Sequence, residues 1–564
     1  MKYLNGRVLA RVTLGLAVVA TACGTTDLDA GGGDGGGVGP DGGTSDGAPR
    51  DSTTSDGATR DGATNDSATN DGGTSDGSSD GGSDAALDAT LDADASDAKV
   101  EIIPTYVKAS NAREGGRFTT VALDGDTLAV GALGDSSNTT TINGNQADTS
   151  APLAGAVYVF KRIGATWAQE AYIKPANNKA GQVFGVTVAL HGDTLAVGAI
   201  YESSGSQVNP NDTSATNAGA VYVFKRTGAA WAQQAYLKAA LPRANAEFGS
   251  SLALKNDTLV VGATGESSGA ATINGNQADT SAPLSGAAYV FTRTGTVWAQ
   301  SAYLKPSNNR ADAAFGVSAG LDGDTVAIGA LNESSGAKGV GGDPNDTSAP
   351  GAGAVYVFAR VGAVWSQEAY IKSTNTVADS NVGAGFGLSL GLSGNTLAVG
   401  QYIEASNATG IDGDETDTSA PNSGAVFVFT RNGGAWSKQA YIKASNSRSL
   451  GLFGYNVSLA GDRLLVGAVG ESSNAQYVNN DQNDTSTPNA GAAYEFRRNG
   501  VTWTQASYVK ASNPRSDAVF GYTVGVTATT SVIGSRFESS NATGINGNQT
   551  DTSAAQAGAV YVYP

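Results

Sequence analysis

The 564-residue sequence contains one cysteine, one histidine and one methionine. A single cysteine excludes disulfides within the chain and excludes metal sites built from several Cys and His ligands. The only histidine, His191, occupies a turn position where other repeats carry Asp124 or Lys255. We therefore expect His191 to be a surface residue, and the chemistry open to this chain is that of oxygen ligands and cations.

Negative charge is concentrated in one segment of the chain. Residues 24–98 contain 17 Asp and two Arg, whereas residues 1–23 carry three cations and no acid. The total of -18 therefore leaves a net charge of -6 for residues 99–564. A surface that is acidic on balance disfavours nucleic acid as a partner.

The first 23 residues have the pattern of an export signal. Three cations precede the apolar run 12–20, and small residues lead to Cys23. The run is too short to cross a bilayer. A cysteine directly after the cut resembles a bacterial lipoprotein signal, which implies that residues 1–22 are removed and that Cys23 is lipidated. The resemblance implies a lipid-anchored envelope protein, at the outer membrane or cell surface. The alternative is an ordinary signal peptide with an incidental cysteine.

The composition of residues 23–98 predicts a tether. After Cys23 they consist almost entirely of Asp, Gly, Ser, Thr and Ala, with no aromatic residue. Such a composition buries too little apolar surface to offset the entropy of ordering. We expect a disordered, self-repelling spacer that spans roughly 45–50 Å as a flexible coil.

From residue 99 onward, one unit recurs seven times. Each copy has a run led by Phe, an Asp-Gly-type turn, a run such as Leu-Ala-Val-Gly-Ala, a long polar loop, and a run such as Gly-Ala-Val-Tyr-Val-Phe. A fourth run carries a Trp with a Tyr five residues later. Because the third run is apolar at consecutive positions, both faces of its strand must be covered. The pattern predicts an all-β fold, a seven-bladed β-propeller of four-stranded antiparallel blades over residues 99–564.

The chain ends directly after the seventh third run, so one fourth strand is missing at that end. The segment 102–108 matches the end of a fourth run and precedes the first Phe. We therefore expect the N-terminal strand to complete the last blade and close the ring.

The repeated Phe-Gly and Val-Gly-Ala phrases, followed by Gly-Ala-Val-Tyr-Val-Phe, resemble the FG-GAP repeats of the integrin α-chain propeller and of similar bacterial exported proteins. Many members carry a calcium loop between the first two strands, whereas this chain has a tight turn such as Asp124-Gly125-Asp126. We therefore do not expect calcium at the family's position between the first two strands.

The long loop between strands two and three is the alternative place for a metal. In the fifth repeat, Asp412, Asp414 and Asp417 surround a glycine, and such oxygen ligands suit Ca²⁺. The opposing interpretation is that these residues form turns by accepting hydrogen bonds from their own backbone. Thermal unfolding in chelator and in calcium distinguishes the two, since a bound cation raises the melting temperature.

Cations and tryptophans also recur in phase. Each fourth strand is followed by a Lys, and most links add a second cation. We expect a ring of positive charge on the long-loop side, suited to an acidic glycan or a protein; the alternative is that each Lys only blocks edge-to-edge pairing of outer strands. The six Trp are interpreted as packing between blades. The lysines are Lys108, Lys174, Lys238, Lys305, Lys372, Lys443 and Lys510, and the second cations are Arg113, Lys179, Arg243, Arg310, Arg448 and Arg515.

The resulting expectation is a monomeric, non-enzymatic binding or adhesion module that recognises an extracellular protein or glycan through the loops of one propeller face. No cofactor is expected with certainty, and Ca²⁺ stays open. The alternatives are an enzyme that acts on extracellular polysaccharide with two carboxylates and a purely structural surface protein.

Overall fold

The computed structural model describes residues 101–376 and 385–564, and it contains 28 β-strands there in seven four-stranded antiparallel sheets. The short strand β1 (Thr105–Val107) comes first and belongs to the last sheet. Blade 1 contains β2 (Phe118–Asp124), β3 (Thr127–Ala132), β4 (Ala156–Ile163) and β5 (Thr166–Ile173). Blade 2 contains β6 (Thr187–His191), β7 (Thr194–Ala199), β8 (Ala220–Thr227) and β9 (Ala230–Leu237). Blade 3 contains β10 (Phe248–Lys255), β11 (Thr258–Ala263), β12 (Ala287–Thr294) and β13 (Val297–Leu304).

The remaining blades follow the same order. Blade 4 contains β14 (Phe315–Asp322), β15 (Thr325–Ala330), β16 (Ala354–Val361) and β17 (Val364–Ile371). Blade 5 contains β18 (Leu390–Ser393), β19 (Thr396–Gln401), β20 (Ala425–Asn432) and β21 (Ala435–Ile442). Blade 6 contains β22 (Phe453–Ala460), β23 (Arg463–Ala468), β24 (Ala492–Asn499) and β25 (Thr502–Val509). Blade 7 contains β26 (Phe520–Val526), β27 (Ser531–Ser535) and β28 (Ala559–Tyr563), completed by β1.

The predicted seven-bladed propeller and its closure are confirmed. Strand β1 pairs antiparallel with β28, with Tyr106 opposite Tyr561. Val107 packs with Val560 of blade 7 and Phe118 of blade 1 in one buried cluster. In blades 2 and 5 the first strand begins a few residues after its Phe, at Thr187 and Leu390, which is later than the sequence pattern indicates.

Neighbouring blades touch through paired glycines. A Cβ atom on Gly262 of β11 would lie 2.0 Å from the carbonyl oxygen of Gly316 in the next blade, so no larger residue fits. The glycine of the second strand and the glycine after Phe therefore set how closely blades pack. The pairs are Gly131 with Gly185, Gly198 with Gly249, Gly262 with Gly316, Gly329 with Gly387, Gly400 with Gly454, and Gly467 with Gly521. At the closing contact, Gly534 meets Thr119.

The four-stranded blades define two faces. Links from strand four to the next strand one lie on the same side as the long loops between strands two and three, and we name that side the long-loop face. The hairpin turns between strands one and two and between strands three and four lie on the opposite side, the short-turn face. Because β1 is a fourth strand, the chain enters the propeller at the short-turn face, and Tyr563 ends there opposite Ser531.

Candidate functional site

The long loops on the long-loop face are held by their own polar side chains. In the fifth repeat, Asp412 accepts a hydrogen bond from the Tyr441 backbone NH at 2.8 Å. Asp414 accepts from the backbone NH and hydroxyl of Thr416, and Asp417 accepts from the backbone NH of Asn407 and from Ser419. The hydrogen bonds lower the pKa of the Asp414 and Asp417 carboxyls. The three carboxylates thus hold separate turns.

These contacts bear on the predicted calcium site. Within residues 101–376 and 385–564, no group of three or more His, Cys, Asp or Glu side chains is arranged to hold a metal ion. The equivalent residues of the first repeat make the same contacts, since Asn143 accepts from the Tyr172 backbone NH and Asp148 accepts from that of Asn138. An amide and a carboxylate are therefore interchangeable at the first position. Calcium at Asp412, Asp414 and Asp417 stays a prediction from the sequence.

The second cations of the links fasten six of the seven long loops to the preceding blade. Arg243 follows blade 2 and donates to the backbone carbonyls of Gln277 and Asp279 in the blade 3 loop, at 2.8 and 2.9 Å. Arg113, Lys179, Arg310, Arg448 and Arg515 make equivalent contacts. These cations therefore hold the loops in place.

The expected ring of exposed lysines is wrong, and so is the alternative of lysines that protect sheet edges. All seven are buried, with at most 5 % of each residue exposed. Each lies beside a buried acid that follows strand two of the same blade, as Lys305 does with Glu266 at 3.0 Å. The other pairs are Lys108 with Glu538, Lys174 with Asp135, Lys238 with Glu202, Lys372 with Glu333, Lys443 with Glu404 and Lys510 with Glu471.

The buried pairs are completed by backbone groups. Lys305 also donates to the Gly286 carbonyl at 2.6 Å, where strand three begins. Glu266 also accepts a hydrogen bond from the Ser268 backbone NH, so this acid both forms a turn and pairs with Lys305. Burial lowers the pKa of Lys305. Because all of these groups are enclosed, they are part of the framework and not of a binding surface.

The interpretation of the tryptophans as packing between blades is confirmed. Trp231 donates to Glu170 of the preceding blade at 2.9 Å, and Arg226 stacks on its ring at 5.3 Å. Equivalent stacking recurs at all six Trp. His191, at its turn, contacts Asn256 of the next blade at 3.0 Å. The short-turn face is thus occupied by repeated structural contacts.

The repeats diverge on the long-loop face around the ring axis, where strand one of each blade begins and strand two ends. One residue per blade there, directly before the Phe, adopts a positive φ: Arg117, Val183, Glu247, Ala314, Gly385, Leu452 and Val519. Positive φ is strained for non-glycine residues, above all for valine, and such strain concentrates at functional sites. The chemistry of this ring differs from blade to blade, unlike that of the framework.

Blades 5, 6 and 7 contribute a continuous group of side chains to this rim, and Arg117, directly before the first strand of blade 1, interacts electrostatically with Arg536. The Tyr402 and Tyr455 rings are 5.6 Å apart, and the Tyr455 and Tyr522 rings are 5.4 Å apart. The Arg536 guanidinium lies over Tyr522 at 4.7 Å and over the Phe537 ring at 5.6 Å. We name Arg117, Tyr402, Tyr455, Tyr522, Arg536 and Phe537 the rim cluster.

The rim cluster is electrostatically unusual. Burial and the nearby charge of Arg536 lower the pKa of Arg117. Burial also raises the pKa of Tyr455 well above its ordinary value. The Nε atoms of Arg117 and Arg536 are buried and have no hydrogen-bond partner. The charge of Arg536 therefore acts on Arg117 in a part-enclosed setting.

An acidic group lies elsewhere on the rim. Glu247, beside blade 3, accepts a hydrogen bond from the Thr264 hydroxyl at 2.8 Å, and burial raises the pKa of this carboxyl. Burial and the charge of Glu247 also raise the pKa of Tyr201. Cations in blades 7 and 1 and an acid in blade 3 give the rim a polarity that the repeats do not share.

The sequence patterns that define the repeats did not indicate the rim cluster, because they emphasise what recurs. The available signal was divergence. After Phe-Gly, only the last two blades carry Tyr, at Tyr455 and Tyr522, and only blade 7 carries Arg-Phe after its second strand. Comparison of the seven copies position by position would have found them.

Two predictions concern residues that the structure does not describe. The lipidation residue Cys23 and the tether 23–98 lie outside the described residues. Within the ranges that the structure covers, no helix is long and apolar enough to span a membrane.

The architecture defines a seven-bladed β-propeller whose axial rim is asymmetric. A family model described as FG-GAP repeat matches residues 167–224, 231–291 and 436–496. The chain therefore contains FG-GAP repeats, and its seven blades are consistent with an integrin α-like FG-GAP propeller, a fold that suggests a protein-interaction module. No curated protein matches the chain.

Proposed function

We propose that this protein is a lipid-anchored, envelope-exposed binding module that recognises an extracellular partner through its long-loop face. The rim cluster is the observation that supports this proposal most strongly. Binding functions on repeat folds reside in residues that break the repeat, since repeated residues serve the framework. Here the divergent cations and rings gather on one face, while lysines, tryptophans and paired glycines recur in the framework.

The path of the chain supports the same orientation. The strand β1 begins at the short-turn face, so residues that precede it join the propeller there. If Cys23 carries the lipid, the tether attaches on the side away from the long loops. The long-loop face is then free to meet a partner outside the cell.

Replacing Cys23 by Ser tests the anchor. The lipid supplies the membrane affinity in this proposal, because a propeller with an acidic surface has no attraction to anionic lipid. We expect the Cys23→Ser protein to move from the membrane pellet to the soluble fraction after cell lysis. Retention of the variant in the pellet, with the same yield as wild type, contradicts the anchor.

Blocking one face at a time tests the binding surface. In the Cys23→Ser background the chain has no cysteine, so a single new thiol can carry a large polyethylene glycol. Thr272→Cys places it on an exposed long loop, and Ala165→Cys places it on an exposed short turn. On a panel of immobilised extracellular proteins and polysaccharides, we expect modification at position 272 to block binding and modification at 165 to leave it intact.

The enzyme alternative gains no support from the rim. A glycosidase needs two carboxylates that flank one bond. Among the rim positions of the described structure, Glu247 supplies one carboxylate, and the acids that follow each second strand are committed to buried lysines. We therefore advance binding alone.

A further inference from the structure

The buried cations of this protein follow one rule with one exception. Nine Lys and Arg residues in the described part of the chain are buried. The seven framework lysines pair with acids, and Arg463 pairs with Glu495 at 2.9 Å. Arg536, at 6 % exposure, makes no ion pair within residues 101–376 and 385–564. Among the residues that the structure describes, the charge of Arg536 is therefore buried without an acidic partner, unlike the charges of the other eight buried cations.

Arg117 adds a second guanidinium to the cluster. Burial and, second, the charge of Arg536 lower the pKa of Arg117. Stacking on Tyr522 and Phe537, and a hydrogen bond from Arg536 to the Tyr522 hydroxyl, offset only part of the cost of desolvation. The arrangement is strained for stability alone, as preorganised binding sites are.

An anion placed between the two guanidiniums supplies the missing charge. A guanidinium presents donors in a planar fork that matches a carboxylate, and two forks fix its orientation. Arg117, Tyr522 and Phe537 are partly exposed, so an incoming group can reach the cluster from the long-loop face.

Backbone pairing at the rim argues for a sugar over a peptide. The backbone NH groups of Tyr455, Tyr522 and Phe537 already donate to carbonyls of Leu452, Val519 and Ala518. A peptide that binds by extending a sheet needs such groups free. Recognition here must use side chains, and the rim offers ring faces and a hydroxyl beside the cations. A uronic acid presents a carboxylate, hydroxyls and an apolar ring face in one residue.

We propose that the rim cluster binds an acidic polysaccharide, with Arg117 and Arg536 holding the carboxylate of a uronic acid residue and Tyr522 and Phe537 packing against its ring. This inference rests on the proposed function and names the chemistry of its ligand.

Titration calorimetry of full-length protein with hexamers of galacturonate, glucuronate and mannuronate tests the assignment. We expect at least one hexamer to bind, and its methyl ester to lose binding because the carboxylate is blocked. Arg536→Met and Arg117→Met should each weaken binding roughly 10- to 100-fold. Lys338→Met removes one exposed cation from the same face and should leave affinity unchanged.

The melting temperatures separate this role from a structural one. Replacing an unpaired buried charge by an apolar side chain is neutral or stabilising, so Arg536→Met should melt at or above the wild-type temperature while it loses binding. Three results overturn the assignment: both Arg variants bind a uronate hexamer as tightly as wild type does, hexaglutamate binds as tightly as the uronate hexamers do, or no uronate hexamer binds. If another panel member still binds through the long-loop face, the proposed function stands without it.

Discussion

Deletion of residues 99–108 lowers the melting temperature sharply, because it opens the ring. Tyr106, Val107 and Lys108 are each fully buried. Loss of a large buried side chain such as Tyr106 costs about 3–5 kcal/mol, and leaving Glu538 buried without Lys108 costs roughly another 3–5 kcal/mol. That sum rivals the whole stability of an ordinary domain, which is about 5–15 kcal/mol.

Thermal unfolding followed by circular dichroism measures this effect. The matched control is deletion of residues 99–103 alone, since Ile102 and Ile103 are exposed and precede β1. We expect the control to melt like wild type and the longer deletion to unfold far earlier or to be purified only as aggregate. Identical melting of the two deletions contradicts closure by β1.

The second large effect comes from breaking one buried ion pair. Lys305→Met leaves Glu266 as an unpaired buried charge and should lower the free energy of unfolding by about 3–5 kcal/mol. Glu266→Leu leaves Lys305 as the unpaired buried charge and should lower the free energy of unfolding by a similar amount. The double variant removes both charges and should cost only about 1–3 kcal/mol, mainly from the carbonyl of Gly286 and hydroxyl of Ser285 that lose a donor.

Urea unfolding of the four proteins gives the coupling energy of the pair. Lys338→Met, on an exposed loop of the neighbouring blade, controls for loss of a lysine as such and should change stability little. Additive losses in the double variant would show that Lys305 and Glu266 stabilise the fold independently, against the geometry described above.

The fold was predictable because its signals are local and repeated. The apolar runs such as 128–132 and 156–160 lie within single strands, and their number and order fixed seven blades. Closure was also predictable, since the segment before Lys108 matches the missing fourth strand. The burial of the lysines was not, because Lys305 and Glu266 are separated by 39 positions and only the blade's pairing brings them together.

The candidate site was harder to predict from the sequence than the lysine pairs were. Arg117 and Arg536 are neighbours only because the ring closes, and Tyr402, Tyr455 and Tyr522 belong to three different blades. Each residue taken alone reads as an ordinary substitution in a repeat. Their meaning depends on the circular order of blades, which places every such substitution around one axis.

The framework and the site thus use charge in opposite ways. Each framework lysine is enclosed with its acid, and four of them, Lys174, Lys238, Lys305 and Lys510, also donate to a backbone carbonyl. The rim arginines keep donors without partners. Substitutions in the first set should change stability, whereas substitutions in the second should change recognition.

Binding after blocking one face tests the central claim most directly. The protein carrying polyethylene glycol at position 272 and the protein carrying it at position 165 are compared on the same immobilised partner, each beside its unmodified form. The proposed function predicts that modification on the long loop abolishes binding and modification on the short turn does not. Binding that survives modification at 272 but is lost at 165 would place the recognition surface on the short-turn face and contradict the assignment of the rim.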